Sequence, residues 1–382
     1  MYSLGAYGSM LADRVRVDAY AQALRKTVRK GSVLVEIGTG PGVFAVLACH
    51  LGASRVYAIE PSQVIQVARE VAAANGCADK IEFFEELSTR VTPPTRADVI
   101  LSDLRGVLPL FERHIPAIVD ARRRFLAPAG ILIPRKDRLW AAIVEAPKPY
   151  SEFVDPWDKN PFGQDLTAAR QLVVNSTQKA RVSPAQLLTE HRLWATLDYG
   201  SVEDPDVLGN LEWRVERAGT GHGILVWFDA ELVEGVEFSN APSAPETIYG
   251  SLFLPWTQPV PLALGQAVGI SLEAKLVEND YVWRWTTRIE PLRGSGAPIL
   301  HFEQSQLTGE VLSVVQLHRI AADHVPHLSE EGRLCRRTLE LMDGKVSLEE
   351  IANRLATEFP QRFPSLQQAL SYAGGLSQEY SR

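Results

Sequence analysis

"VLVEIGTGPG", residues 33–42, runs from an apolar, β-branched stretch straight into a loop with glycine at positions 38, 40 and 42. A short apolar run ending at such a loop reads as a strand covered on both faces. Backbone without Cβ atoms can approach a ligand where a side chain would clash. The dinucleotide fingerprint G-x-G-x-x-G would need its third glycine at position 43, which is valine, and the loop lacks the lysine of a phosphate-cradling P-loop. What is left is a nucleoside-like ligand with acids around it. Glu36 lies in the strand, and Glu60 ends "RVYAIE", where a carboxylate can take ribose hydroxyls.

Working outward, residues 32–147 alternate apolar runs ("VLVEIG", "RVYAIE", "IEFF", "DVILSD", "GILIP", "LWAAIVEA") with helical patterns. That alternation predicts an α/β, doubly wound sheet with crossover helices over residues 1–147. Beyond Pro147 the strands "HRLWATLDY", "HGILVWFDAEL", "AVGISLEAKLV" and "DYVWRWTTRI" follow one another, predicting an antiparallel β-domain, barrel or sandwich, over 148–314. The stretch 166–191 interrupts it with a pattern that suits a helical excursion. Residues 315–382 read as a small helical or winged-helix module, with an Asp343-Gly344 turn and a capping box of Ser347 and Glu350 opening its second helix.

The 382 residues are 46% hydrophobic and 22% charged, which is the make-up of a folded globular chain rather than a disordered one. A net charge of −7 argues against a general nucleic-acid binder. Cys49, Cys77 and Cys335 have neither disulfide-framework nor metal spacing, so no metal is expected. The first residues lack a basic-then-apolar signal pattern, and no apolar run is long enough to span a bilayer, so a cytoplasmic location without a membrane partner is expected.

"SDLRGVLPLFE", residues 102–112, follows the apolar run "ADVILS" and carries Asp103 and Glu112. Carboxylates at the end of a buried strand are costly to desolvate unless a cation lies between them. Either a substrate guanidinium or amine supplies that cation, or Arg105 and Arg113 do. His114, two residues on, reads as a loop histidine, and Arg122–Arg124 read as a solvated basic helix face.

The glycine loop resembles the S-adenosylmethionine loop of class I methyltransferases. The two-acid loop resembles that of protein arginine methyltransferases, with Ser102, Asp103, Gly106 and Glu112 in the family's positions and aspartate replacing the first glutamate. The resemblance covers roughly residues 1–295. It implies a Rossmann-like domain, a β-barrel and a helical dimerisation arm at 166–191, hence a homodimer. It further implies S-adenosylmethionine as cofactor, with Met10 against the sulfonium, Arg16 on the methionine carboxylate and Glu36 toward its ammonium. Gly38, Gly40 and Gly42 would lie along the nucleoside, Glu60 on the ribose and Glu86 near the adenine. "LFLPWTQPV" is similar to the family's Thr-His-Trp loop, which puts Trp256 with Arg105 at the substrate and Pro255 at the histidine position. Asp103 and Glu112 would then be catalytic. A guanidinium keeps its protons at neutral pH and is a poor nucleophile, and two carboxylates can bind it, polarise it and aim one nitrogen at the methyl. The expected activity is N-methyl transfer to a guanidinium or similar nitrogen of a peptide, protein or small molecule. The alternative is a catalytically silent relative serving as a binding scaffold. The tail from 315 weakly resembles peptide-binding modules.

Overall fold

The computed structural model describes residues 2–292 and 298–381. They form two compact units, Met1–Glu310 and Val311–Arg382. The first begins with two helices, α1 (Leu4–Ala12) and α2 (Arg14–Thr27). The Asp13 carboxylate caps α2 by accepting from Arg16 N, and Tyr20, Ala23 and Leu24 turn its apolar face into the core. There follow β1 (Val33–Ile37), α3 (Val43–His50), β2 (Arg55–Ile59), α4 (Ile65–Ala74), β3 (Ile81–Phe84), β4 (Ala97–Ser102), α5 (His114–Arg124) and β5 (Leu126–Ile133). The five strands form a parallel sheet in the order β3-β2-β1-β4-β5. The order in which successive strands are added reverses between β1 and β4, and ligands of such sheets bind in the crevice outside the carboxyl ends at that switch point. Ile37 pairs with Ser102 there, so the glycine loop and the two-acid loop leave the sheet side by side.

The sixth expected strand of this sheet, "LWAAIVEA", belongs elsewhere. As β6 (Lys136–Val144) it pairs antiparallel with two later strands. Its alternation explains the placement: Leu139, Ala141 and Ile143 face the barrel core, while Trp140 and Ala142 face outward. After β6 come α6 (Pro147–Asp158), α7 (Thr167–Val173), β7 (Gln178–Ala180), β8 (Arg192–Asp198), β9 (Val207–Arg214), β10 (Gly219–Val233), β11 (Val236–Ser239), β12 (Ser251–Leu262), β13 (Ala267–Val277), β14 (Asp280–Ile289) and β15 (Leu300–Ser305). One sheet runs β7-β12-β10-β6-β8 with β11 on β10, the other β15-β14-β13-β9. The excursion at 166–191 is helical only at α7. It then pairs β7 with β12 and closes on a 3-10 turn at Pro184–Gln186, because Pro184 and the β-branched residues around it do not sustain a helix.

The unit closes with α8 (Gln306–Gly309). The second unit holds α9 (Val314–Ile320), which is exposed throughout, and α10 (Glu330–Leu341), α11 (Leu348–Glu358) and α12 (Leu366–Tyr380) around a core of Leu334, Leu341, Ile351, Leu355 and Phe363. No strand occurs among its described residues, so it is helical and not winged. Ser347 caps α11 through Glu350 N, but the Glu350 side chain pairs with Arg354, so the expected capping box is half made. Among the described residues no helix is long and apolar enough to cross a membrane.

The parallel sheet and the barrel meet at a buried ion pair. Asp137 lies on the inward face of β6, and Arg105 reaches it from the loop after β4, with Nη2 at 2.7 and 2.9 Å and Nε at 3.1 Å from its oxygens. Neither side chain is exposed to solvent. The Tyr199 hydroxyl also donates to Asp137, and His114 Nε2 lies 3.0 Å from Tyr199 Oη. Burial opposes a charged guanidinium, but Asp137 with the phenols of Tyr20 and Tyr199 raises the Arg105 pKa above its ordinary value. A pair so enclosed is far costlier to halve than to delete. Arg105→Met should lower stability by about 3–5 kcal/mol, the cost of stranding a buried charge. Arg105→Met with Asp137→Ala should recover most of that loss in urea unfolding. A double variant no more stable than the single one would show that the pair is not the joint.

Candidate functional site

The glycine loop sits between β1 and α3, and Gly38, Gly40 and Gly42 all have positive φ. Gly42, at φ 81°, is the N-cap of α3, and a Cβ there would meet Ala68 of α4 at 3.0 Å. Glu36 is buried at 2% exposure and accepts from Thr39 Oγ1 at 2.7 Å. Burial pushes its pKa up to about 8, against the pull of the Thr39 bond, so it is protonated at neutral pH. Glu60 ends β2, with Oε2 accepting from Gly40 N at 3.1 Å and Oε1 from Ser62 N at 3.0 Å and Ser62 Oγ at 2.6 Å. The α1 helix covers the loop: an ideal Cβ on Gly40 would lie 2.7 Å from the Tyr7 ring. Met10, half-buried on the same helix, accepts from Arg16 Nη1 through its carbonyl at 3.4 Å. Glu86 lies beyond β3 on the same edge of the sheet, half-exposed, accepting from Leu87 N at 2.8 Å.

Asp103 is largely enclosed, its side chain 7% exposed. Its Oδ2 accepts from Arg16 Nε at 2.6 Å and Tyr249 Oη at 2.8 Å, and its Oδ1 lies 3.1 Å from Arg105 Nη1. Burial alone would raise its pKa, but Arg16 and Arg105 outweigh it and hold the carboxyl below its ordinary range. Glu112 is different. It is exposed, holds a strained φ of 43°, and among the described residues its carboxylate makes no hydrogen bond or ion pair. Both acids act on one phenol, because burial and then the charges of Glu112 and Asp103 raise the pKa of Tyr2.

Two expected substrate contacts are placed elsewhere. Arg105 is fully buried with its donors spent on Asp137, Asp103 and Tyr20, so it holds the acid from behind. Trp256 is wholly buried in the barrel, with its ring where a Cβ on Gly221 would lie 2.5 Å away, so it does not face the acids. The loop that does face them is Thr247-Ile248-Tyr249. Tyr249 Oη bonds Asp103, and Ile248 N donates to the Asp13 carboxylate at 2.7 Å. A signal for it existed, since Thr247 and the aromatic Tyr249 keep the outer residues of the Thr-His-Trp pattern. Asp137 was also missed, although it shares its strand parity with the core residues Leu139 and Ala141.

His114 is not a loop residue but the buried first residue of α5. Burial and the Arg105 charge drop its pKa to about 3, so it is neutral and no proton shuttle. Arg122 and Arg123 both pair with Glu203, and Arg124 pairs with Asp120. Arg113 donates to the Glu278 carbonyl and leaves Glu112 alone.

The raised Glu36 pKa carries a pH signature. Below its unfolded value near 4.5 both states are protonated. Between there and about 8 the unfolded state loses a proton that the folded state keeps, so stability falls as pH rises. The stability difference between wild type and Glu36→Gln should therefore decline across pH 5–8 by up to about 1.4 kcal/mol per unit. A difference independent of pH, measured by urea unfolding, would contradict a buried neutral Glu36.

Residues 19–147 match the family described as ribosomal protein L11 methyltransferase (PrmA), and residues 135–280 match the arginine methyltransferase oligomerization subdomain. A probable protein arginine N-methyltransferase 6 of Arabidopsis thaliana is 29% identical over 251 residues, 63% of this chain and 56% of the relative. Human protein arginine N-methyltransferase 2 is 29% identical over 303 residues, covering 73% of this chain and 69% of the relative. The match thus spans little more than half of the Arabidopsis relative. Among solved structures, the Trypanosoma brucei PRMT1 enzyme-prozyme heterotetrameric complex with AdoHcy superposes with a TM-score of 0.72 at 19% identity, covering 79% of this chain and 98% of that one. Arabidopsis thaliana protein arginine methyltransferase 10 gives 0.68 at 22% identity, covering 79% and 97%. At such identities the likeness is one of fold, and it reproduces the succession of parallel sheet and barrel. The two matched regions, which together span residues 19–280, and the relatives in sequence establish that the chain belongs to the protein arginine methyltransferase family.

Proposed function

We propose that this protein transfers a methyl group from S-adenosylmethionine to a guanidinium nitrogen of an arginine in a peptide or protein. The observation that carries the reading is the pairing, on one loop beside the glycine loop, of an acid held ionised (Asp103) with an acid left without a partner (Glu112). The residues fit the cofactor. Arg16 Nη2 has no hydrogen-bond partner among the described residues and is available to the methionine carboxylate while Nε keeps Asp103. Glu36 would meet the ammonium, whose charge would draw off the proton that burial keeps on it, with Glu60 at the ribose and Glu86 at the base. Bound there, S-adenosylmethionine would supply an electrophilic methyl on a sulfonium.

The charges assign roles to the acids. Asp103 and Asp137 are matched by Arg16 and Arg105, two negative against two positive, so this network is already neutral. Glu112 supplies the charge that an incoming guanidinium needs. Asp103 orients the guanidinium and Glu112 binds it, drawing positive charge off the reacting nitrogen. Methylation would require the guanidinium to give up a proton. Glu112, open to solvent, is the acid that takes it.

The likeness of residues 135–280 to an oligomerization subdomain supports a homodimer with the 166–191 segment as its arm. Sedimentation showing only monomer at micromolar concentration would count against the dimer. Three unpaired cysteines fit a reducing compartment such as the cytoplasm.

The decisive experiment is transfer of a labelled methyl from S-adenosylmethionine to arginine-containing peptides and to free arginine. Glu112→Gln should cut turnover at least about a hundredfold, as loss of a charged group aimed at the reacting centre does. Cofactor binding should persist. Unchanged turnover would remove Glu112 from the chemistry, and cofactor binding without turnover on any guanidine would leave a scaffold.

A further inference from the structure

Successive residues of β10 serve opposite faces of its sheet. Phe228 packs inward, its ring 5.4 Å from the Arg105 guanidinium carbon, and Asp229 points outward into a cavity of about 260 Å³. Trp227 lies buried in the floor of that cavity at 3% exposure, Trp140 forms a wall, and His191 sits at the rim, its ring centroid 5.0 Å from Trp140 and 5.8 Å from Trp227. Asp229 Oδ2 accepts from Trp140 Nε1 at 2.7 Å. Among the described residues its Oδ1 accepts no hydrogen bond and the carboxylate makes no ion pair. The arginine directly across the ladder, Arg138, turns away to Glu231 and Glu237.

A half-buried carboxylate among aromatic rings, with its cross-strand cation diverted, is complementary to an organic cation. One free carboxylate oxygen beside indoles is no metal-ligand set. A guanidinium suits it better than an ammonium, because it is planar, weakly hydrated and stacks on aromatic faces, and N-methylation keeps its charge while adding apolar surface. A loop links the cavity to the acids. Its rim includes Ser243 and Ala244, and the same loop continues to Tyr249, whose hydroxyl rests on Asp103. Ala244 and Tyr249 are five positions apart in the chain, which bounds the distance between them to what a short extended peptide spans.

We propose that this cavity is a second guanidinium site, which takes an arginine or N-methylated arginine side chain other than the one held at Asp103 and Glu112. The proposal rests on the transferase reading only for the source of the ligand. Binding itself is read without turnover, so the two can fail separately.

The full chain, labelled with ¹⁵N at the indoles of its eight tryptophans, is titrated with N-acetyl-arginine methylamide, its dimethylated form, and the neutral citrulline analogue. Trp140→Phe and Trp227→Phe assign the two signals. Both should move and saturate with the two cationic probes and stay fixed with citrulline. Asp229→Asn should weaken the binding about tenfold, the usual worth of a charge-assisted hydrogen bond. Ser243→Arg, which plugs the cavity from its rim, should abolish it and serves as the test if Asp229→Asn does not fold. Equal shifts with citrulline, no movement of either signal, or binding unaffected by Ser243→Arg would overturn the proposal. Tighter binding of glycine-spaced peptides with two arginines than with one identifies a peptide-borne ligand. Equal binding identifies free arginine derivatives as the source of the same cation.

Discussion

The contact between Arg105 and Asp137 organises the larger unit. A loop of the parallel sheet and a strand of the barrel each bring a charge into an apolar interior, and neither charge is tolerable there alone. Because the pair forms in one geometry, it fixes the angle at which the two sheets meet. Arg105 then has one nitrogen left over, and that nitrogen sets the position of Asp103. The placement of Asp103 and the architecture are thus one problem with one solution. The aromatic rings around the guanidinium, Phe228 and Phe238, exclude the water that would weaken it.

The acids of the crevice divide their labour through their surroundings. Asp103 is boxed in by two arginines and a phenol, which makes it a fixed point with no net charge to offer. Glu112 sits on a strained backbone in the open, which keeps its charge free. Strain of this kind persists where the surrounding structure over-determines a residue, as at a site built for binding.

Much of this was legible in the sequence. The strand, glycine loop and terminal acid gave the parallel sheet and its cofactor edge, because buried strands and tight loops admit few residue types. The two-acid loop pointed to Asp103 and Glu112, which lie on one loop beside the glycine loop. The sequence misled where a residue's partner lies far along the chain. Arg105 looked like a competitor for the substrate because its partner Asp137 is 32 residues away on a strand that had been read into the wrong sheet. Strand parity would have flagged Asp137 as a buried acid in need of a cation. In sequence Trp256 fits the tryptophan of the Thr-His-Trp pattern, yet its alternation within β12 sends it into the barrel, and Tyr249 is the aromatic residue that reaches Asp103. Helical periodicity also overstated the arm, since a seven-residue helix and a short strand share a stretch whose pattern suggests a helical excursion.

The three glycines of the nucleoside loop have a further consequence. The space where each would carry a side chain is occupied by the protein itself: Leu104 beside Gly38, the Tyr7 ring over Gly40, and Ala68 of α4 against Gly42. Their bareness is therefore demanded twice, once by any visitor and once by the packing of a helix, a roof and a neighbouring loop. A descendant that had given up its chemistry would still be held to the same spelling, so persistence of this signature across a lineage records the architecture at least as faithfully as it records activity.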